Sequence, residues 1–224
     1  MRYGYGPLPL GSLAGDLERE AERFSAGADE RDVKAMGDLV NDLEHSDIVA
    51  RALKVGERAP DFELTTGGGK LVSLTGLLTK GAAILTWYRG GWCPYCNLQL
   101  NHLQTYLERF RAAGATLAAL SPELPLKSIA TGERHGLGFD LLVDRHNKVA
   151  KQYGGVHRLN DGTRGYHGRM GVMDYYQEHD LSELPVPATY IIDSASVVRY
   201  AYVNPDFRKR AEPEEILEVV RGIV

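Results

Sequence analysis

The sequence predicts an α/β protein in which helices flank a central mixed sheet and a helical extension precedes it. Three observations support this fold class. An apolar run of strand length at residues 82–88 is followed at once by a helical pattern at residues 97–111, strand-like and helix-like segments alternate through the middle of the chain, and two strand-like runs near the end are spaced as a hairpin. Such alternation is typical of a sheet covered by helices.

The composition is that of an ordinary globular protein. The chain has 224 residues, enough for one well-buried domain and an extension. Its 43% hydrophobic residues and formal net charge of −4 indicate neither disorder nor nucleic-acid binding. Residues 1–7 lack the apolar core of a signal peptide, and no apolar run approaches the length that crosses a bilayer. We therefore expect a cytoplasmic protein that binds neither nucleic acid nor membranes.

Residues 1–54 are predicted to form the helical extension. After a Gly/Pro-rich tail over residues 1–11, a helix is expected from Ser12 until residues 25–28, with one apolar face made of Leu13, Leu17, Ala21 and Phe24. Asp29 or Asp32 can cap a second helix, whose apolar residues are Val33, Met36, Val40 and Leu43. These faces either pack on the main domain, the more usual arrangement, or form a homodimer contact.

Residues 55–224 are predicted to form the main domain. An extended segment at residues 59–64 and a turn at residues 67–70 lead into a strand at 71–74. The remaining strand-like runs are residues 82–88, 115–120, 141–144, 188–193 and 197–203. Helices are expected at residues 97–111, 125–135 and 146–153, and from Pro213 to the end.

Residues 154–182 form the least regular stretch of the sequence. Its histidines, His157, His167 and His179, are ten and twelve residues apart, which fits no compact metal motif. We expect them to be solvated loop residues. The basic triplet at residues 208–210 is likewise expected to form a solvated face.

The two cysteines, Cys93 and Cys96, lie where the predicted central strand ends and a helix begins. Backbone N–H groups and the helix dipole favour a thiolate at that position. A Cys-x-x-Cys at a strand–helix junction predicts a thioredoxin-like redox site. The alternatives are an inert buried pair or half of a zinc site. Zinc needs two more ligands, and the sequence has neither further cysteines nor a closely spaced histidine pair, so we expect no metal and no cofactor.

Three segments carry a resemblance to a known family. They are residues 55–62 (VGERAPDF), 88–96 (YRGGWCPYC) and 184–193 (LPVPATYIID). On these segments the chain from about residue 55 to its end resembles the peroxiredoxin-like branch of the alkyl hydroperoxide reductase/thiol-specific antioxidant family. That resemblance implies a thioredoxin-like fold and a thiol-dependent peroxidase acting on hydrogen peroxide or organic hydroperoxides.

The chain departs from the ordinary peroxiredoxin pattern at the site. If Cys96 takes the peroxide-attacking position, the family's threonine falls on Cys93, its proline on Arg89 and its distant arginine on Pro187. The residues found instead resemble thioredoxin, which has Trp-Cys-x-x-Cys and a cis-proline beside the thiols. By this resemblance we expect the peptide bond before Pro187 to be cis.

Two orders of reaction remain open. In a peroxiredoxin-type reaction Cys96 attacks the peroxide and Cys93 resolves the sulfenic acid. In a thioredoxin-type reaction Cys93 attacks a disulfide and Cys96 resolves it. Both end in a Cys93–Cys96 disulfide that an external thioredoxin- or glutathione-type donor must reduce. A protein disulfide reductase and a redox-sensing partner module are therefore the alternatives to the peroxidase.

The resemblance and the local sequence also predict which residues surround the thiols. Arg89 is the cation nearest to the cysteines in the sequence, and we predict that it donates hydrogen bonds to a thiolate or to the peroxide. The alternative is that Arg89 is an ordinary surface charge at the end of a strand. The predicted substrate-positioning residues are Trp92 as a wall, Tyr95 as a partly exposed spacer, and Pro94 and Pro187. The lone histidine in the following helix, His102, is expected to be packing or surface.

Overall fold

A computed structural model describes residues 11–176 and 182–223. The predicted tail, apart from Gly11, and His179 lie outside the described residues. The strands are β1 (Glu63–Thr66), β2 (Leu71–Ser73), β3 (Ala82–Trp87), β4 (Ala115–Ser121), β5 (Asp140–Val143), β6 (Val156–Arg158), β7 (Glu183–Pro185), β8 (Ala188–Ile192) and β9 (Val198–Val203). The helices are α1 (Leu13–Gly27), α2 (Glu30–Glu44), α3 (Ile48–Arg51), α4 (Leu74–Leu78), α5 (Pro94–Ala112), α6 (Pro125–His135), α7 (Lys148–Gln152), α8 (Asp161–Arg169) and α9 (Pro213–Ile223).

Within the described residues, seven strands form one mixed sheet in the order β2-β1-β5-β4-β3-β8-β9. The central strands β3, β4 and β5 run parallel to one another, and the other pairings in this sheet are antiparallel. β6 and β7 form a separate antiparallel pair. The predicted α/β class with a central mixed sheet is confirmed.

Both faces of the sheet are buried, which explains why β3 reads as a continuous apolar run. Successive side chains of a strand point to opposite faces. Ile84 accordingly joins the core beneath α5 and α9, whereas Leu85 and Trp87 join the core beneath α4 and α7. The parallel pair β3 and β4 therefore delivers the following chain segments to one edge of a rigid, two-sided core.

The N-terminal helices pack on the main domain. Ser12 and Asp29 cap α1 and α2 through their side chains, as the sequence pattern allows. α1 packs on α5, and α2 packs on α8. The buried face of α2 is turned from the predicted one, since Ala35, Leu39 and Leu43 are its buried residues while Val33 remains partly exposed. No helix in the described ranges is both long and apolar enough to span a membrane.

Two elements correct the sequence-based reading. Residues 154–182 are more regular than expected and contain β6, α8 and a 3₁₀ turn at Val172–Tyr175. α8 carries three glycines, which lower its intrinsic helix propensity, so packing on α2 outweighs that local preference. The predicted helix over 146–153 is shorter, because His146 and Asn147 adopt positive φ angles and only Lys148–Gln152 is α-helical.

Candidate active site

The strand β3 and the helix α5 place the two cysteines at the edge of the sheet. The chain leaves β3 at Trp87, crosses a five-residue loop and enters α5 with Cys93 at the N-cap and Pro94 in the first turn. Gly90 has a φ of +152°, and a Cβ there would lie 2.5 Å from the Trp92 ring nitrogen, so only glycine fits this close turn. The sequence of this loop therefore places Cys93 at the start of α5.

A buried carboxylate holds the loop in place. Glu123 follows β4 and accepts hydrogen bonds from the Gly91 backbone N–H, at 2.9 Å, and from the Tyr88 hydroxyl. Burial raises the pKa of Glu123, although these hydrogen bonds act in the opposite direction. Tyr176 donates to the Arg89 carbonyl oxygen and accepts from the Trp92 ring N–H at 2.7 Å. The loop is therefore anchored from β4 and from the segment after α8.

Arg89 faces the first thiol. Its Nη2 donates to the Cys93 Sγ at 3.1 Å, and its guanidinium lies 4.0 Å from the centre of the Phe207 ring. Burial alone raises the pKa of Cys93, but the hydrogen bond from Cys96 and the charges of Arg89 and Arg210 outweigh it and hold that pKa well below its usual value. Cys93 is therefore the thiol that is stabilised as a thiolate.

Cys96 lies one turn further into α5 and faces a second cation. Its sulfur accepts from the Arg89 backbone N–H at 3.4 Å and from the Arg210 Nη2 at 3.6 Å. Burial raises the pKa of Cys96 well above its usual value, and the adjacent Cys93 thiolate raises it further. The two arginines oppose this shift without reversing it. Cys96 is therefore the protonated partner that donates to Cys93.

The expectation that residues 208–210 form a solvated face is wrong for Arg210, which is only 6% exposed. Its Nε donates to the Gln99 side chain at 2.7 Å, and its Nη1 donates to the carbonyl oxygens of Phe207 and Lys209. Gln99 in turn donates to Thr86. The contacts with Gln99 and with the Cys96 sulfur come from residues more than a hundred positions away, so a local pattern of three basic residues could not reveal them.

The predicted neighbours of the thiols are only partly as expected. Trp92 stands beside the site and Pro94 begins α5. Tyr95 is buried, against the prediction of a partly exposed spacer, because its ring packs on Phe207. The peptide bond before Pro187 is trans, since the described chain contains no cis bond. The cis expectation, which rested on resemblance, is wrong; trans is the ordinary state of about 95% of X–Pro bonds.

His167 is a site residue that the sequence reading placed in a solvated loop. It is fully buried in α8, with its ring 5.0 Å from the Trp92 ring. Burial, aided by the Arg89 charge, lowers the pKa of His167 to about 3, so the ring is neutral. His157 is half-buried in the strand β6, so the expectation of a solvated loop residue is wrong for it as well. In the described ranges, no group of three His, Cys, Asp or Glu side chains could hold a metal ion.

Both sulfurs are free thiols with no exposed surface. They belong to the core cluster that includes Leu13 and Leu17 of α1 and Leu39 and Leu43 of α2. His102 on α5 pairs with Asp16 of α1 at 2.7 Å, and both side chains are buried. The N-terminal extension thus covers the active site, and both sulfurs lie beneath this cover.

Comparison with known proteins places these features in context. A sequence profile of the AhpC/TSA family matches residues 55–201. The chloroplastic Peroxiredoxin Q of Triticum aestivum is 27% identical over 176 residues, which cover 79% of this chain and 70% of that protein. The thiol-disulfide oxidoreductase ResA of Geobacillus thermodenitrificans is 31% identical over 106 residues, which cover 46% of this chain and 59% of ResA.

Solved structures extend the comparison to the fold. The peroxidoxin BcpB of Mycobacterium tuberculosis superposes with a TM-score of 0.61 and 22% identity, covering 77% of this chain and 99% of BcpB. At this identity the likeness concerns the fold alone. Together with the family match it confirms the predicted thioredoxin-like fold.

Proposed function

This chain belongs to the AhpC/TSA family, and from that premise we propose that it reduces peroxides through a Cys93–Cys96 dithiol/disulfide cycle. The observation that carries the proposal is the contact between the Arg89 guanidinium and the Cys93 sulfur, at 3.1 Å. A thiolate is the reactive form of cysteine, and a neighbouring cation with a helix N-terminus is the usual means of producing one. Cys93 has both.

In the first step, the Cys93 thiolate attacks the terminal oxygen of R–O–OH. An S–O bond forms, the O–O bond breaks, and the departing RO⁻ takes up a proton to become the alcohol. Cys93 is oxidised to a sulfenic acid and the peroxide is reduced by two electrons. Arg89 can donate hydrogen bonds to the peroxide oxygens while its Nη2 holds the sulfur.

In the second step, the Cys96 sulfur attacks the sulfenic sulfur of Cys93. An S–S bond forms, and the sulfenic oxygen leaves as water after taking the Cys96 proton. Arg210, at 3.6 Å from the Cys96 sulfur, favours the thiolate character that this attack needs. An external thiol donor then supplies two electrons and two protons to restore both thiols.

This order differs from the family pattern, in which the position of Cys96 would attack the peroxide. The proposal assigns the first attack to Cys93 because its pKa is lowered while that of Cys96 is raised. Arg89 is proposed as a catalytic residue, and Trp92, Pro94 and Tyr95 as walls that position the peroxide. Pro187 lies at the start of β8, and a substrate-positioning role for it stays a prediction.

A protein disulfide reductase is the second candidate, favoured by the Cys-x-x-Cys pair itself and by the similarity to ResA. The burial of both sulfurs weighs against it, because a protein disulfide needs a far larger opening than a small peroxide does. The redox-sensing module and the homodimer through the N-terminal helices stay predictions. A cytoplasmic location also stays a prediction, since the similar Peroxiredoxin Q proteins are chloroplastic. The division at residues 54 and 55 is a further proposal, supported by the start of the family match.

Stopped-flow measurement of hydrogen peroxide consumption tests both the activity and the order of attack. We expect the parent to turn over with dithiothreitol, Cys96→Ser to react once and leave a dimedone-reactive sulfenic acid on Cys93, and Cys93→Ser to lose rapid reaction. A single turnover confined to Cys93→Ser would reverse the order and keep the peroxidase. A parent that reduces insulin disulfides but never consumes peroxide quickly would overturn the peroxidase.

A further inference from the structure

A cavity of about 170 Å³ lies between the N-terminal helices and the active site. α1 contributes Phe24 to its wall, and α2 contributes Val33 and Met36. Trp92 and Phe207 line the opposite side. The wall is therefore largely apolar, and two of its helices lie before residue 55, where the family match begins.

The size of this cavity suits a compact organic group. An engineered apolar cavity of about 150 Å³ stays dry and binds benzene. The cavity here is somewhat larger, at about 170 Å³. Hydrogen peroxide, which has no carbon, would leave most of it unfilled. An aromatic or branched alkyl group would fill it and be removed from water.

One end of the cavity is polar and contains nitrogen atoms that make no hydrogen bond within the described chain. The Nε and Nη1 of Arg89 and both ring nitrogens of His167 are buried and have no hydrogen-bond partner within the described chain. Both side chains line the cavity, at 4% and 0% exposure. Buried polar atoms without partners are uncommon and call for a ligand or another explanation.

A hydroperoxide group matches these four atoms. Its oxygens accept hydrogen bonds from a guanidinium, and its O–H donates to the unprotonated nitrogen of a neutral imidazole. Arg208 also lines the cavity, but its guanidinium is paired with Asp206 at 2.8 and 3.0 Å. That charge is already balanced, so the site favours a neutral ligand over an anion.

We propose that this cavity binds the organic group of a bulky, apolar hydroperoxide and places its O–OH between Arg89 and His167, beside Cys93. The inference rests on the proposed peroxidase function and narrows its substrate. The enzyme then prefers an aromatic or branched hydroperoxide to hydrogen peroxide. One methylene in a hydrophobic pocket discriminates by about tenfold or more, so a phenyl-bearing substrate should exceed that.

The test compares kcat/KM for cumene hydroperoxide with kcat/KM for hydrogen peroxide. We expect the ratio to be at least about 10 in the parent, and to fall at least about tenfold in Met36→Trp, which fills the cavity. Gly37→Leu is a gentler filling variant, because a Cβ at Gly37 meets no atom within 4 Å. Asn41→Trp adds the same bulk on the exposed side of α2 and should retain the parent ratio.

A binding measurement separates this inference from the proposed function. The alcohol product, 2-phenyl-2-propanol, should bind the Cys93→Ser variant by calorimetry and bind Cys93→Ser/Met36→Trp at least about tenfold more weakly. If both peroxides are consumed at equal efficiency and neither filling variant changes the ratio, the cavity proposal fails and the peroxidase stands. If neither peroxide is consumed, the peroxidase fails; alcohol binding to Cys93→Ser would still support the cavity, and no binding would overturn it as well.

Discussion

The active site is built from two regions of unlike origin. Residues 55–201, which match the family, contribute both cysteines and Arg89 from one strand–helix junction. The segments outside that match contribute the cover, the cavity wall from α1 and α2, and Arg210 beside Cys96. The inner region contains every atom that changes bonding in the proposed cycle. We infer that the outer region selects the substrate and acts on the second thiol.

We infer that the inner region carries out the reaction and that the outer region determines its selectivity. The junction of β3 and α5 places Cys93 at a helix N-terminus beside a cation, and both features favour a thiolate. The cover packs over both buried sulfurs and forms one wall of an apolar cavity that Arg89 and Trp92 also line. Variants in the inner region should therefore alter the chemical step, and variants in the outer region should alter the second step, selectivity or stability.

The largest effect is expected for Arg89→Met in the inner region. Wild-type reactivity should fall only as the pH drops through the lowered pKa of Cys93. Removing the cation raises that pKa, so the fall moves to higher pH and the rate on the acidic side drops by about tenfold or more. Stopped-flow pH profiles measure this shift. Arg89→Lys retains the charge and should shift less; superimposed profiles for Arg89→Met and the parent would contradict the assignment.

An intermediate effect is expected for Arg210→Met in the outer region. The variant removes the guanidinium that lies 3.6 Å from the Cys96 sulfur and lowers the pKa of that thiol, so the conversion of sulfenic acid to disulfide should slow by about tenfold. The peroxide step should slow less, because Arg89 remains beside Cys93. The two phases of a fluorescence stopped-flow trace report these steps. Lys209→Met, on the exposed neighbour, is the control, and equal slowing in both variants would remove Arg210 from the second step.

The smallest effect is expected for Asp16→Ala, which loosens the cover. His102 on α5 loses the Asp16 carboxylate that lies 2.7 Å from its ring, so a buried ring nitrogen is left without that hydrogen-bond partner. This loss should lower the free energy of unfolding by about 1–3 kcal/mol. Urea denaturation measures this loss, and reaction of the reduced protein with a thiol reagent should become faster. Glu18→Ala, exposed on the same helix, is the control. Equal stability of the two variants would show that the pair does not hold the cover.

The same division explains what could be predicted from the sequence. The β3–α5 junction is encoded in a contiguous apolar run and a helical repeat, so the positions of Cys93 and Cys96 followed from local pattern. Burial of Arg210 depends on Gln99 and Cys96, which only the folded chain brings beside it. His167 was missed because a glycine-rich helix gives little local signal. The cis expectation for the bond before Pro187 came from resemblance and was wrong.

The pairing of each sulfur with its own guanidinium has a thermodynamic consequence. Arg89 and Arg210 are both buried, and neither forms an ion pair with a carboxylate of the described chain. Oxidation to the disulfide removes the negative charge that balances them and leaves two positive charges desolvated. We therefore expect the reduced protein to be more stable against unfolding than the oxidised protein, as in oxidoreductases whose reduced state is favoured. The couple should have a high reduction potential, so that even a weakly reducing monothiol can return it to the dithiol.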